Sequence, residues 1–362
     1  MPAHPAFDAG RWFDAVATRR SRRAYEGPPS AEDLAGLASV AEAFTPFDDA
    51  RVVLLPLAPA GLFTGIIGSY GRVTGPCAAF VFIADGTSET ADAHCGYTGE
   101  GLVLEAHSRG LGTCWIAGSF SRATARDVVD LRPGEVVRAV SPVGIPLERL
   151  SSAERLLYGQ ARPKHRKPLD DIAPGNASWP AWAVAGVRAA RVAPSAVNRQ
   201  PWLFRDDVGS VVVSVHGAVP GLGRLDCGIA MLHFELGARS EGSDGAWEAL
   251  TGDDVARWVS VYGARDGSRG EMNDERLEDG KLDGLAGDED SIEEDFDNAF
   301  PLRTRVLFGV LAVIVAIGGL YLMLRVSSPT IGPGQTPPAG HYALPCPVCH
   351  SVSANAPAIG VR

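Results

Sequence analysis

The chain has 362 residues, of which 46% are hydrophobic and 21% charged, with a formal net charge of −10. That is enough for one substantial core plus appendages, and the balance is that of a globular chain rather than a fibrous or wholly disordered one. The charge is segregated: between Asp266 and Asp297 fourteen Asp or Glu stand against three Lys or Arg, a local balance of −11, so the remainder is close to neutral.

In chain order, the start Met-Pro-Ala-His-Pro has no basic region followed by an apolar one, so no cleaved signal peptide is expected there. An amphipathic start at Trp12, Phe13 and Val16 leads into Arg19-Arg20-Ser21-Arg22-Arg23, four guanidinium groups and a hydroxyl in five residues. Guanidinium forks grip phosphate in bidentate fashion, so the cluster suits an anionic tail, although an arginine run also serves as a solvated surface. Helical stretches at Ala31 to Ala43 and Gly99 to Arg109 alternate with β-rich runs at Arg51 to Pro56, Ala78 to Ala84, Val136 to Val143 and Ser210 to Val215. Residues 1–263 therefore read as an α/β or α+β domain. They contain no GxGxxG fingerprint after a strand, no Walker loop, and no HExxH, GxSxG or kinase signature.

Two further clusters carry chemistry. Gly110-Leu111-Gly112-Thr113-Cys114-Trp115 follows a helix, and its glycines let the backbone approach a ligand closely. In Ala193-Pro194-Ser195-Ala196-Val197-Asn198-Arg199-Gln200-Pro201-Trp202 proline stops a helix, and short polar side chains can hydrogen-bond a planar heterocycle. Taken singly, each is also an ordinary helix end or helix-entry turn.

Beyond the domain, the acidic stretch at 264–300 is rich in Gly and poor in aromatics, and reads as a disordered tether, with an acidic metal-binding tail as the sharper alternative. Val306 to Leu324 is an uncharged apolar run of 19 residues, matching the roughly 20 needed to cross a bilayer, and defines a transmembrane helix at 305–325. Arg303 and Arg305 precede it and only Arg325 follows, which places the amino-terminal region in the cytoplasm and the tail in a lumen or periplasm. Cys77, Cys95, Cys114 and Cys227 are scattered singly before the run, as reduced thiols would be. After it comes Cys346-Pro347-Val348-Cys349-His350, whose CxxCH spacing suits covalent haem c on Cys346 and Cys349 with His350 as iron ligand and His341 as the leading distal candidate. Zinc on Cys346, Cys349, His341 and His350 is the competing reading.

The three clusters of the first 263 residues resemble the FMN-dependent nitroreductase family, with an Arg-x-Ser-x-Arg-like phosphate motif, a Pro-Ser-x-x-Asn-x-Gln-Pro-Trp loop and a Gly-Leu-Gly-x-x-Trp turn. Val143-Gly144-Ile145-Pro146, Lys164-His165-Arg166-Lys167-Pro168 and Leu225-Asp226-Cys227-Gly228-Ile229-Ala230 add to the likeness. The Pro-Ser-x-x-Asn loop stands at 193–202 rather than in the region of Leu37 to Asp49, which resembles the single-chain branch of the family. There two related halves, here about 1–173 and 174–263, form an α+β pseudo-dimer with one flavin site. The resemblance implies that Arg19, Arg20, Ser21, Arg23, Lys164 and Arg166 hold the FMN phosphate, that Ser195 and Asn198 approach the ring, that Gly112 and Thr113 also bind FMN, and that NAD(P)H is the donor. No catalytic side chain is assigned.

The segment from Thr330 to His350, part of a haem tail at 326–362, resembles the magnetochrome, a short c-type cytochrome module of magnetosome membrane proteins. The resemblance implies a membrane protein of the magnetosome or inner membrane that sets iron redox state for biomineralisation, with other redox or magnetosome proteins, iron or quinone as partners and no nucleic acid. A membrane cytochrome with a vestigial nitroreductase fold is the alternative.

Overall fold

The computed structural model describes residues 8–64, 73–151, 154–155 and 165–260. The acidic stretch, the apolar run and the CxxCH tail lie outside these residues, and among the described residues no helix is long and apolar enough to cross a membrane.

Two antiparallel sheets and the helices packed on them form an α+β architecture. The first half contains α1 (Ala9–Thr18), β1 (Tyr25–Gly27), α2 (Ala31–Ala43), β2 (Ala50–Leu55), β3 (Ala78–Asp85), α3 (Ala91–Ser108), β4 (Gly112–Thr113), α4 (Arg122–Asp127) and β5 (Glu135–Pro146). Its sheet runs β1-β5-β3-β2, with β4 added beside β5. α5 (Leu169–Ile172) leads into the second half, which contains α6 (Ala181–Arg191), β6 (Trp202–Asp206), β7 (Ser210–Val215), α7 (Gly223–Ser240), β8 (Gly245–Ala249) and β9 (Asp254–Ser260), with sheet order β6-β7-β9-β8.

The halves share a topology. A hairpin (β2–β3 or β6–β7) is followed by an 18-residue helix, and the chain returns as a strand (β5 or β9) antiparallel to the second hairpin strand, flanked by β4 or β8. The returning pair carries a bulge in both halves, at Phe82/Ile83 and at Val213/Ser214. The two long helices cross reciprocally. Gly96 of α3 lies against the Leu225 carbonyl of α7, and Gly228 of α7 against the Ala93 carbonyl of α3, neither with room for a β-carbon. Ala93-His94-Cys95-Gly96 thus corresponds to Leu225-Asp226-Cys227-Gly228, an equivalence the glycines enforce because only a missing side chain lets the backbones meet.

β3 explains why its sequence shows no alternation. Phe80 and Phe82 face the main core between the sheet and the long helices, while Ala79, Val81 and Ile83 face a second apolar layer with Leu62, Ile116 and Phe120. Both faces are covered from Ala78 to Ala84, so each of those positions is apolar. The expected helix at Ala31 to Ala43 is found, capped by Ser30. The one expected from Gly99 begins eight residues earlier, at Ala91, because its first two turns are made of small and polar residues that break the apolar periodicity yet pack against α7.

Candidate functional site

The segment after α1 turns extended at Arg19 and runs beside β4. Ser21 bridges to Thr113 in parallel, and the Arg22 N–H donates to the Thr113 carbonyl at 2.8 Å. The buried Glu154 fixes this segment from outside, accepting from the N–H groups of Arg23 (2.6 Å) and Ala24 (3.2 Å), with Arg22 Nε at 3.4 Å. Burial would push the Glu154 carboxyl up, but the N–H groups of Arg23 and Ser151 and the Arg22 charge hold it below the usual range.

The turn opposite is set by local chemistry. Gly110 ends α3 at φ +79, its N–H donating to His107 O and that of Leu111 to Ala106 O, an αL helix stop of the kind glycine permits. Gly112 then passes so near the Arg22 and Pro146 β-carbons that an added β-carbon would sit 2.9 and 3.0 Å from them. The sequence clusters at 19–23 and 110–115 are therefore one structural unit.

The loop from α6 to β6 is the most unusual backbone in the described residues. Val197, Asn198 and Gln200 all have positive φ, at 46°, 54° and 47°. For non-glycine residues this costs of order 1–3 kcal/mol each, and a β-branched valine is the least suited of all. The loop is held open by bonds from residues 165–167. Asn198 Nδ2 and Gln200 Nε2 donate to the His165 carbonyl (3.1 and 3.0 Å), Gln200 Oε1 accepts from Lys167 N (2.9 Å), and Arg166 donates to Ala193 O (2.8 Å) and Asn198 Oδ1 (3.3 Å). Within the loop, Ser195 Oγ accepts from Gln200 N at 2.9 Å.

Electrostatics join the two units. Burial and the charges of Arg19, Arg20 and Arg191 push the Arg166 guanidinium down to about 9. Burial together with Arg19 and Arg20 likewise pushes the His107 imidazole down to about 4. Arg19 is 7% exposed, and its nearest carboxylate is Glu100 at 3.8 Å. Glu100 is already occupied by Trp115 Nε1 (2.7 Å) and His233 Nε2 (2.9 Å). Arg20 spends its hydrogen bonds on the carbonyls of Ala17 and Arg19. Arg19, Arg20 and Arg191 thus stand near Arg166, and of these four only Arg19 has a carboxylate within 4 Å among the described residues, an excess of positive charge that an anion with several oxygens would relieve.

Of the residues expected from sequence, Arg19, Arg20, Ser21, Gly112, Thr113, Arg166, Ser195 and Asn198 are brought into these two linked units. Arg23 contributes its backbone N–H to Glu154. Lys164, Cys346, Cys349, His341 and His350 lie outside the described residues. No group of acidic, His or Cys side chains suited to a metal ion occurs among the described residues. The sequence analysis gave no role to Glu100, His107, Glu154 or Arg191, and carried Asp226 only as part of the 225–230 motif. The available signal was a pair of carboxylates, Glu100 and Glu105, inside a helix otherwise destined for the core.

A family model described as "Putative TM nitroreductase" matches residues 12–238. The chain belongs to this nitroreductase family. A solved putative nitroreductase of Thermotoga maritima is 20% identical, over 72% of this chain and 96% of its own, at a TM-score of 0.47. An FMN-dependent nitroreductase of Clostridium difficile is 16% identical over 38% of this chain and 89% of its own, at a TM-score of 0.31. A nitroreductase family protein of Streptococcus pneumoniae is 14% identical over 44% and 98%, at 0.34. A search of curated proteins finds no match.

Proposed function

We propose that the described domain binds FMN non-covalently and oxidises NAD(P)H. The carrying observation is the grouping of Arg19, Arg20 and Arg191 near the buried Arg166: burial first, and then their charges, push its guanidinium down to about 9, and burial with Arg19 and Arg20 pushes His107 down as well. A phosphomonoester fits this basin: Arg19, Arg20, Ser21 and Arg166, with Arg23 and Lys164, would hold it. The backbone at Gly112 and Thr113 and the strained loop at Ser195 and Asn198 would flank the ring. Once bound, the ring supplies a two-electron acceptor for a nicotinamide hydride.

The test is flavin content. Full-length protein incubated with excess FMN and desalted should release about one equivalent of FMN on heat denaturation; release of none ends the enzymatic reading. Arg20→Ala should weaken FMN binding by about tenfold or more, the worth of one charge-assisted contact, in a fluorescence titration. Its melting temperature without ligand should change little, because the lost bonds to the Ala17 and Arg19 carbonyls are offset by relief of repulsion from the neighbouring guanidinium groups.

For the rest of the chain the reading rests on sequence. The 306–324 run anchors the protein in a membrane, with the flavin domain cytoplasmic, and the tail carries haem c on Cys346 and Cys349 with His350 and His341 as axial ligands. Such a short peptide cannot bury haem alone, so covalent links, bis-axial ligation and a partner must stabilise it. Its magnetochrome likeness supports a role in magnetosome iron redox control. An apolar layer of about 30 Å separates the two centres, so a quinone, another cytochrome or a partner subunit would bridge them.

A further inference from the structure

The strained loop has a second anchor, on the side away from residues 165–167. Asp226 in the first turn of α7 is 3% exposed, and its two carboxylate oxygens accept from a single donor, the Ala196 N–H, at 3.1 and 3.2 Å. An acidic residue in a first helical turn gains from the helix dipole, but an exposed one gains the same without losing water, so dipole stabilisation does not explain this burial. The other half offers a comparison. Reciprocal packing of Gly96 and Gly228 makes His94 the counterpart of Asp226. His94 also reaches the loop that precedes its own sheet, with Nδ1 2.6 Å from Asp49 Oδ1 and its ring stacked on Phe47 at 3.8 Å. In both halves the residue two before the crossing glycine therefore ties down the helix-to-strand loop. Only the second half uses it on a loop with three left-handed non-glycine residues.

We propose that Asp226 is a positioning residue: by gripping the Ala196 N–H it locks residues 195–200 in their strained conformation and so sets Ser195 and Asn198 at the site. What the loop is locked for rests on the flavin reading; that it is locked does not. Asp226 holds the amide one residue before Val197, where the backbone first enters the left-handed region. Without that grip the segment can relax toward ordinary dihedrals, and the site loses its preorganised wall.

The experiment compares the full-length wild type, Asp226→Ala and Asp226→Asn by hydrogen exchange and FMN titration. Without FMN, the peptide spanning 193–202 in Asp226→Ala should exchange about tenfold faster or more, while the peptides of α3 and β3 keep wild-type protection. FMN affinity should fall by about tenfold, and Asp226→Asn, which keeps one acceptor oxygen, should recover most of both losses. Wild-type exchange at 193–202 in Asp226→Ala overturns the proposal, as does an equal defect in the Asn and Ala variants. Should the Ala variant fail to fold, Asp226→Asn decides: slower exchange at 193–202 than across a randomly coiled segment supports the grip, and full exposure with an intact core overturns it. Faster loop exchange in Asp226→Ala, together with no FMN binding by the wild type, would support the lock and discard the flavin reading.

Discussion

At the residue scale, Asp226 also makes a statement about stability. Burial pushes its carboxyl up to about 7, against a pull downward from the Ala196 N–H, whereas the same group titrates near ~4 in an unfolded chain. Between those values the folded protein keeps a proton that the unfolded chain has released, so the contribution of this group to stability falls as pH rises from about 4 to about 7 and stays low above. The slope approaches about 1.4 kcal/mol per pH unit. Melting temperatures of the wild type should therefore drop between pH 5 and pH 8 by more than those of Asp226→Asn, which cannot titrate. Parallel curves for the two proteins would remove Asp226 as the cause. Glu154 and Asp254, both held below their ordinary values, act in the opposite sense, contributing stability that is lost only as pH falls through the acid range.

At the element scale, the crossing of α3 and α7 carries the architecture. It buries Cys95, Tyr97, Leu102, Ile229 and Phe234, and it is bridged by Tyr97 donating to Glu235 at 2.7 Å and by His233 beside Glu100 at 2.9 Å. The backbones can approach because Gly96 and Gly228 lie at the contact, and what faces each is main chain, which cannot swing aside. Gly228→Ala should destabilise the domain by about 3 kcal/mol, the upper end of overpacking costs. Gly118→Ala, at a position with open space around it, should stay within about 0.5 kcal/mol. Urea unfolding of both variants checks the contrast, and similar midpoints would mean that the helices separate at little cost. Because Arg19 sits 3.8 Å from Glu100 on α3 and Asp226 lies on α7, a shift at the crossing should also reach the site.

At the scale of the whole molecule, the proposed haem tail rests on sequence alone, and it supplies the sharpest test of the two-module reading. Expressed with c-type maturation machinery, the full chain should give a haem-stained band on a denaturing gel, since thioether bonds survive denaturation. The band should vanish in the Cys346→Ser, Cys349→Ser double variant; persistence there would show that haem is attached elsewhere or that the tail is not its carrier. A metal assay of the same preparations separates haem iron from zinc.

The sequence by itself determined whatever is local. Ser30 and Ala31 to Ala43 specify a capped helix, Gly110 a helix stop, and Pro194 an exit from α6, because each depends on dihedrals and neighbours a few residues away. The six motifs that carry the nitroreductase likeness were legible for the same reason. Tertiary structure alone decided that the arginines at 19–20 and 166–191 share one basin, since their mutual repulsion exists only once the chain brings them together. It decided, too, that Glu100 and Asp226 are buried rather than solvated, and that Val197, Asn198 and Gln200 carry left-handed strain. The repeat of two halves was faint in sequence because it is kept by topology and by a pair of glycines at one crossing. Packing there demands absent side chains at two points and tolerates almost any apolar residue elsewhere.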